Sequence, residues 1–304
     1  MSVTLLGPQR TPTVDRVART LDPDGPIATI TAGWRDREPD DAELDALLGS
    51  RTANLALYRR WLHVHQDDPE FGAAQLQLRE VLDETQSMYL VRVEHALRAV
   101  DALHRREQSS RRDDEIADAI GAVRALDERH VAQVSDLYAG FDDTWRPHER
   151  PVVAGHRQQV ADIVRAATAL VVTGGHVGVL SSVLRLFDVT GALQCPVIAW
   201  SAGAMALTDR IVLFHDRTPQ GRTPAEILAP GTRLVTGIVL LPHARSRLLI
   251  DDVDRMAVFA RRFAPARCVL LEQDTRFTLN GIDALPDGVR VLGEDGRIQT
   301  VAAQ

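Results

Sequence analysis

The chain contains no lysine: its Lys+Arg total of 35 in 304 residues is entirely arginine. That absence excludes a Schiff-base lysine, the lysine of a phosphate-binding loop and a serine–lysine dyad. Cysteine is almost as scarce. Cys195 and Cys268 cannot build a disulfide framework, and their spacing matches no metal-ligand pattern. Aromatic residues make up only 5% of the chain, and no apolar run approaches the roughly 18 residues of a membrane span. Acids outnumber bases by 42 to 35, a formal net charge of −7, which argues against broad binding to nucleic acid or to an anionic membrane. Local arginine clusters still suit capture of a small anion. The stretch Met1 to Pro8 carries neither a basic leader nor a long apolar segment, so a cytoplasmic location is the expectation.

The remaining composition, 45% hydrophobic and 25% charged with 20 Gly and 15 Pro, is that of a globular chain. Residues 1–39 read as the first part of an α/β domain. Val3 to Leu6 and Ile27 to Thr31 are short apolar runs stopped by glycine, and Thr13 to Leu21 between them has helical spacing. From 40 to 145 strand signals vanish and apolar residues recur at three and four. Leu78, Leu82, Tyr89, Ala96, Val100 and Leu103 form one stripe, and Ile116, Ile120, Val123, Val134 and Leu137 form another. Acids after Ser109-Ser110 mark the start of the second helix. The expectation is an inserted helical hairpin that packs on the domain, with a lid or a homodimer arm as the functional alternatives. Residues 146–304 return to α/β texture and end in a hairpin around Gly293-Glu-Asp-Gly296. The predicted fold is thus a three-layer α/β domain with a mostly parallel sheet.

The strongest chemical signal is Ala199-Trp200-Ser201-Ala202-Gly203. An apolar strand enters it and a helix former leaves it, while small residues two before and two after the Ser allow a sharp turn. That is the nucleophile-elbow pattern, which lifts a hydroxyl above a sheet; the plain alternative is a Ser that caps a helix. A serine hydroxyl needs a base within hydrogen-bond reach. His243, just past the apolar strand ending Leu241-Pro242, is the first choice, with His176 and His215 as others. The group orienting the imidazole is Asp216, with Asp209 and Glu272 as rivals. Oxyanion donors are expected at Gly174-Gly175 and Ala202. His63 and His65 stand at i and i+2, which on a helix do not share a face, so no metal site is assigned. The hydrolytic chemistry requires no cofactor.

The succession Gly174-Gly175, a helix, Ala199-Trp200-Ser201-Ala202-Gly203-Ala204 and a Leu-Pro-His243 strand end resembles the serine peptidases related to dipeptidase E and cyanophycinase. The likeness covers roughly Val152 to Leu271 plus the opening strands. It implies a class I glutamine amidotransferase-like fold in which Ser replaces the amidotransferase Cys, with Ser201 as nucleophile and His243 as base. Dipeptidase E carries an Asp fifteen residues after its Ser, the position of Asp216 here; cyanophycinase-like members favour a later Glu, which points to Glu272. Known members cut next to aspartyl residues, which implies a cation beside the substrate: Arg217, Arg245 or Arg247, or Arg35 or Arg37 after the second strand. The chain departs from the family where Gly-Gly-Asn becomes Gly174-Gly175-His176, a change beside the substrate site, and where the helical insertion interrupts the domain.

The expected function is therefore cleavage of a small peptide or isopeptide by a serine hydrolase. An esterase of the α/β-hydrolase type is the rival with the same chemistry, and a non-catalytic binding or regulatory module the rival of another class. Glutamine amidotransfer is disfavoured because the elbow holds Ser.

Overall fold

Short apolar runs closed by glycine become buried strands here, and the charged, periodic middle becomes two long helices. The computed structural model describes residues 1–20, 24–217, 223–281 and 285–302. The chain opens with β1 (Ser2–Leu6), α1 (Val14–Ala18), β2 (Ile27–Ile30), α2 (Ala42–Leu47) and β3 (Thr52–Asn54). Leu21, expected to end the first helix, lies outside the described residues. Four helices follow: α3 (Leu57–Asp67), α4 (Pro69–His104), α5 (Ser110–Trp145) and α6 (Pro151–Ala166). Then come β4 (Ala169–Val172), α7 (Val177–Leu186), β5 (Val197–Trp200), α8 (Ser201–Ala206), β6 (Arg210–Leu213) and β7 (Glu226–Pro230). The last part holds β8 (Ile238–Pro242), α9 (Ala244–Arg247), α10 (Val253–Phe263), β9 (Arg267–Leu271), β10 (Arg276–Asn280), β11 (Arg290–Leu292) and β12 (Ile298–Thr300).

The main sheet has six strands in the order β10-β1-β5-β4-β2-β3. Every pair is parallel except β1 with β10, and β1, β2, β4 and β5 are almost wholly buried, as a sheet covered on both faces requires. Register decides where function can sit. Leu6 lies opposite Trp200, and Val172 lies opposite both Ala199 and Ile30. Four carboxyl ends therefore share one edge, the place where open α/β sheets bind ligands. A second sheet, β12-β11-β9-β8, contains one parallel pair, β8 with β9, in which Pro242 faces Leu271. The strands of the α/β domain are thus split over two sheets plus a β6–β7 ribbon, rather than the one sheet the sequence pattern predicts.

The change of texture at residue 40 is not where the hairpin begins. α2 and β3 still belong to the α/β layer, β3 pairing with β2 in parallel. Thr52-Ala-Asn is a three-residue, half-buried edge strand, too short to show any period. The hairpin proper is α4 and α5, 36 residues each. Its base is latched where Asp68 caps α4 through Phe71 N–H and accepts the fork of Arg150, at 2.5 and 2.7 Å. α3 has no side-chain cap of its own; instead the buried Glu38 carboxylate accepts Tyr58 and Arg59 N–H at 2.9 and 2.8 Å, satisfying donors that a helix start leaves open.

A buried polar knot fixes the hairpin to the domain. Arg262 of α10 donates to both oxygens of Asp127 on α5 at 2.7 Å, to Tyr89 Oη of α4 at 3.0 Å and to the Ala225 carbonyl at 2.7 Å. Tyr89 donates to Asp127 at 2.7 Å and stacks on His130 with ring centroids 4.0 Å apart. Arg262 and Asp127 are 3% and 1% exposed, so removing either partner strands a charge in a dry site. Asp127→Ala should therefore destabilise the protein by ~3–5 kcal/mol, read as a lowered urea midpoint, whereas joint replacement of Asp127 and Arg262 by apolar residues should cost less than the single change.

Candidate functional site

Ser201 is the first residue of α8 and follows β5 directly. Its backbone is left-handed, with φ 49°, a conformation that costs a non-glycine residue of order 1–3 kcal/mol. The surroundings hold it there by leaving no room for side chains. A Cβ on Gly203 would stand 2.4 Å from the Thr173 carbonyl oxygen, and one on Gly174 would stand 3.1 Å from Ser201 Cβ and 3.7 Å from its Oγ. Gly175 (φ 121°) meets Gly33 in the same way, its Cβ position only 2.3 Å from the Gly33 carbonyl oxygen, and His176 N–H donates to that carbonyl at 2.8 Å. The half-buried hydroxyl of Ser201 thus faces backbone on the β4 side. The first N–H groups of α8, with Ala202 and Gly203, have no helical carbonyl to bond, and Trp200 supplies no side-chain cap.

His243 stands at the mouth of the second sheet. Because β8 and β9 run parallel with Pro242 opposite Leu271, the next residue of each strand, His243 and Glu272, emerges at the same end. His243 is itself left-handed at φ 57°, and its N–H donates to the Leu271 carbonyl at 3.2 Å. Burial, then the positive charges of Arg247 and Arg10, hold the imidazole below the usual histidine range, with the Glu272 carboxylate pulling the other way. The ring is therefore neutral at pH 7, as a proton acceptor must be. Glu272 Oε1 accepts Arg245 N–H at 2.9 Å, and Glu272 N–H donates to Thr275 Oγ1 at 3.0 Å.

Gly7 joins the two clusters. It continues β1, the neighbour of β5, and its Cβ position would fall 1.7 Å from the Glu272 carbonyl oxygen, while its N–H donates to Thr275 O at 2.8 Å. α8 also packs against β8. Ser201, Gly174, Gly175 and Ala202 therefore form one group and His243 with Glu272 a second, set on abutting strand ends. Among the described residues, neither the Ser201 hydroxyl nor the His243 ring bonds to another side chain.

The other expected residues are placed differently. Asp216 is buried, and its carboxylate is occupied: Arg255 grips both oxygens and Leu249 N–H donates at 3.0 Å. It braces the segment after α9, through Asp216 N–H to Arg247 O at 2.8 Å, rather than meeting an imidazole. Asp209 lies beside Arg210. His176 is exposed, and its Nδ1 accepts Val179 N–H at 3.2 Å, capping α7; the Asn-to-His departure thus keeps a capping side chain. Arg217 and Arg245 are exposed, and Arg37 pairs with Asp40 at 3.1 Å. Arg247, half-buried, and Arg10 are the cations whose field reaches His243. Arg10, Gly7 and Gly33 escaped the sequence reading of the site; only the Gly7-Pro8 and Gly33-Trp34 strand stops marked their loops.

Compared with protein-family models and with curated protein sequences, the chain matches none. Among solved structures it is similar to a crystal structure of a peptidase from an acI-B1 Actinobacterium, with a TM-score of 0.45 and 12% identity over 99% of this chain and 94% of that one. At that level the likeness bears on neither activity nor substrate. What stands is a mixed α/β fold with a mostly parallel central sheet, in which no helix among the described residues is long and apolar enough to cross a membrane.

The strained elbow makes a prediction independent of any substrate. Ser201→Gly removes the left-handed penalty and should raise stability by about 1 kcal/mol or more relative to Ser201→Ala, measured by denaturant unfolding of the two variants. Equal midpoints would mean that the elbow stores no strain.

Proposed function

We propose that this protein is a serine hydrolase that cleaves an amide bond in a small peptide or isopeptide. The observation carrying this reading is the left-handed Ser201 at the end of a buried parallel strand, with its hydroxyl set against Gly174. In the proposed reaction Ser201 Oγ bonds to the substrate carbonyl carbon and its proton passes to His243. The resulting oxyanion is held by N–H groups of Gly175 and Ala202, aided by the glycine-lined approach at Gly174. Collapse breaks the C–N bond as His243 returns the proton to the leaving amine; water then releases the acyl group by the same steps reversed.

Glu272 takes the role of the acid. Its charge already acts on His243, whereas Asp216 is committed to Arg255. An acidic group beside the scissile bond is the substrate feature we assign, since Arg10 and Arg247 surround the base with positive charge and arginine suits a carboxylate. Arg245, Arg217 and His176, all exposed, are placed for the outer part of such a substrate, and Arg37 lies on the Gly33 side. Neither cysteine substitutes for Ser201: Cys268 is buried and its thiol is pushed up to about 12, which rules out a ready thiolate.

Ser201→Ala should lower kcat/KM on an acidic dipeptide by about 10³-fold or more with the fold retained by circular dichroism. Unchanged turnover would end the hydrolase reading, and turnover confined to esters would favour the esterase. A parent protein inert on both classes would favour the non-catalytic module. The pH profile tests the base. The acid limb of kcat/KM should fall below pH 6.5. Arg247→Gln removes a charge that lowers the His243 pKa, so the limb should move up; Glu272→Gln removes one that raises it, so the limb should move down.

A further inference from the structure

The hairpin uses only one side of α4. Tyr89, Val93 and Val100 are buried against α5 and the domain, while the opposite side exposes Leu76 (50%), Val81 (39%), Met88 (58%) and Val91 (56%). Isolated exposed apolar residues are ordinary. Four on one helix side, over a stretch about 22 Å long at 1.5 Å per residue, form a continuous stripe of the kind that marks an interface.

Charge identifies the occupant. On the amino-terminal half of the stripe Glu80 and Glu84 are exposed; Arg79 there is taken by Asp83 at 3.9 Å. On the carboxyl-terminal half Arg92 and His95 are exposed, Arg98 being taken by Glu94. The stripe is thus acidic at one end and basic at the other. Laid antiparallel on a second copy, it sets acid against base at both ends. Laid parallel, it sets like against like. We infer that α4 is a self-complementary docking face, and that the protein forms a twofold homodimer with two α4 helices antiparallel. The axis passes near Gln86, which places Glu80 of one copy opposite Arg92 of the other and Val81 opposite Val91. An isologous interface of this kind repeats every contact, so each favourable pair counts twice. The inference rests on α4 alone and is independent of the reading of Ser201.

The test is the solution mass of the full chain by sedimentation or light scattering over a concentration series. A species of twice the 33.5 kDa chain mass is expected. Met88→Glu with Val91→Glu should weaken the dimer by about tenfold or more, as should Glu80→Arg or Arg92→Glu alone, because each sets like charges together twice. The double reversal Glu80→Arg with Arg92→Glu should restore it. All of these positions are exposed, and circular dichroism confirms the fold of each variant. A monomer at every concentration, a dimer indifferent to the Met88 and Val91 changes, or a double reversal no better than the single ones would each overturn the proposal.

Discussion

The backbone at Ser201 is the constraint on which the candidate site depends. A residue other than glycine held at φ 49° persists only where its surroundings leave nothing better. Here the surroundings are backbone: Gly174 lies under the Ser201 side chain, Gly203 on the ends of β4, and Gly175 on Gly33. Each contact would be closed by one added carbon. The glycines do not make the region flexible; they let three chain segments approach until the turn has one shape. That shape leaves the hydroxyl half-buried beside the first N–H groups of a helix that no side chain caps.

The second half of the site follows from strand register rather than from strain. β8 and β9 are parallel and in step, so the residues after Pro242 and Leu271 emerge together, and Gly7 brings that pair against the end of β1. The electrostatic setting is then decided by a chain without lysine. Arginine cannot lose its charge in a protein, so Arg10 and Arg247 keep the His243 ring neutral while Glu272 offers the opposing field. A permanently cationic rim around a neutral imidazole is well arranged to receive an anionic substrate beside a general base.

Much of this was legible in the residues. The run Pro196 to Gly203 foretold a buried strand, a sharp turn and a helix, because apolar, small and helix-forming residues follow in that order. The stripes of the hairpin were equally plain, since Tyr89, Val100, Ile116, Ile120 and Val123 are all buried. What stayed hidden depends on partners far away in sequence. The commitment of Asp216 to Arg255, 39 residues on, is invisible to spacing, which alone made Asp216 attractive as an acid. The same holds for the knot of Tyr89, Asp127 and Arg262, whose members come from three helices, and for β3, too short to carry a period. The division into two sheets is set by which strands pair, a property of the folded chain.

The most direct measurement of the central claim is a crystal structure of the protein after reaction with a fluorophosphonate. The account predicts phosphorus bonded to Ser201 Oγ, a phosphonyl oxygen within hydrogen-bond distance of N–H groups at Gly175 and Ala202, and the His243 ring within reach of the adduct. An unmodified Ser201, or an adduct with the His243 ring turned away and another group at the oxygen, would contradict it.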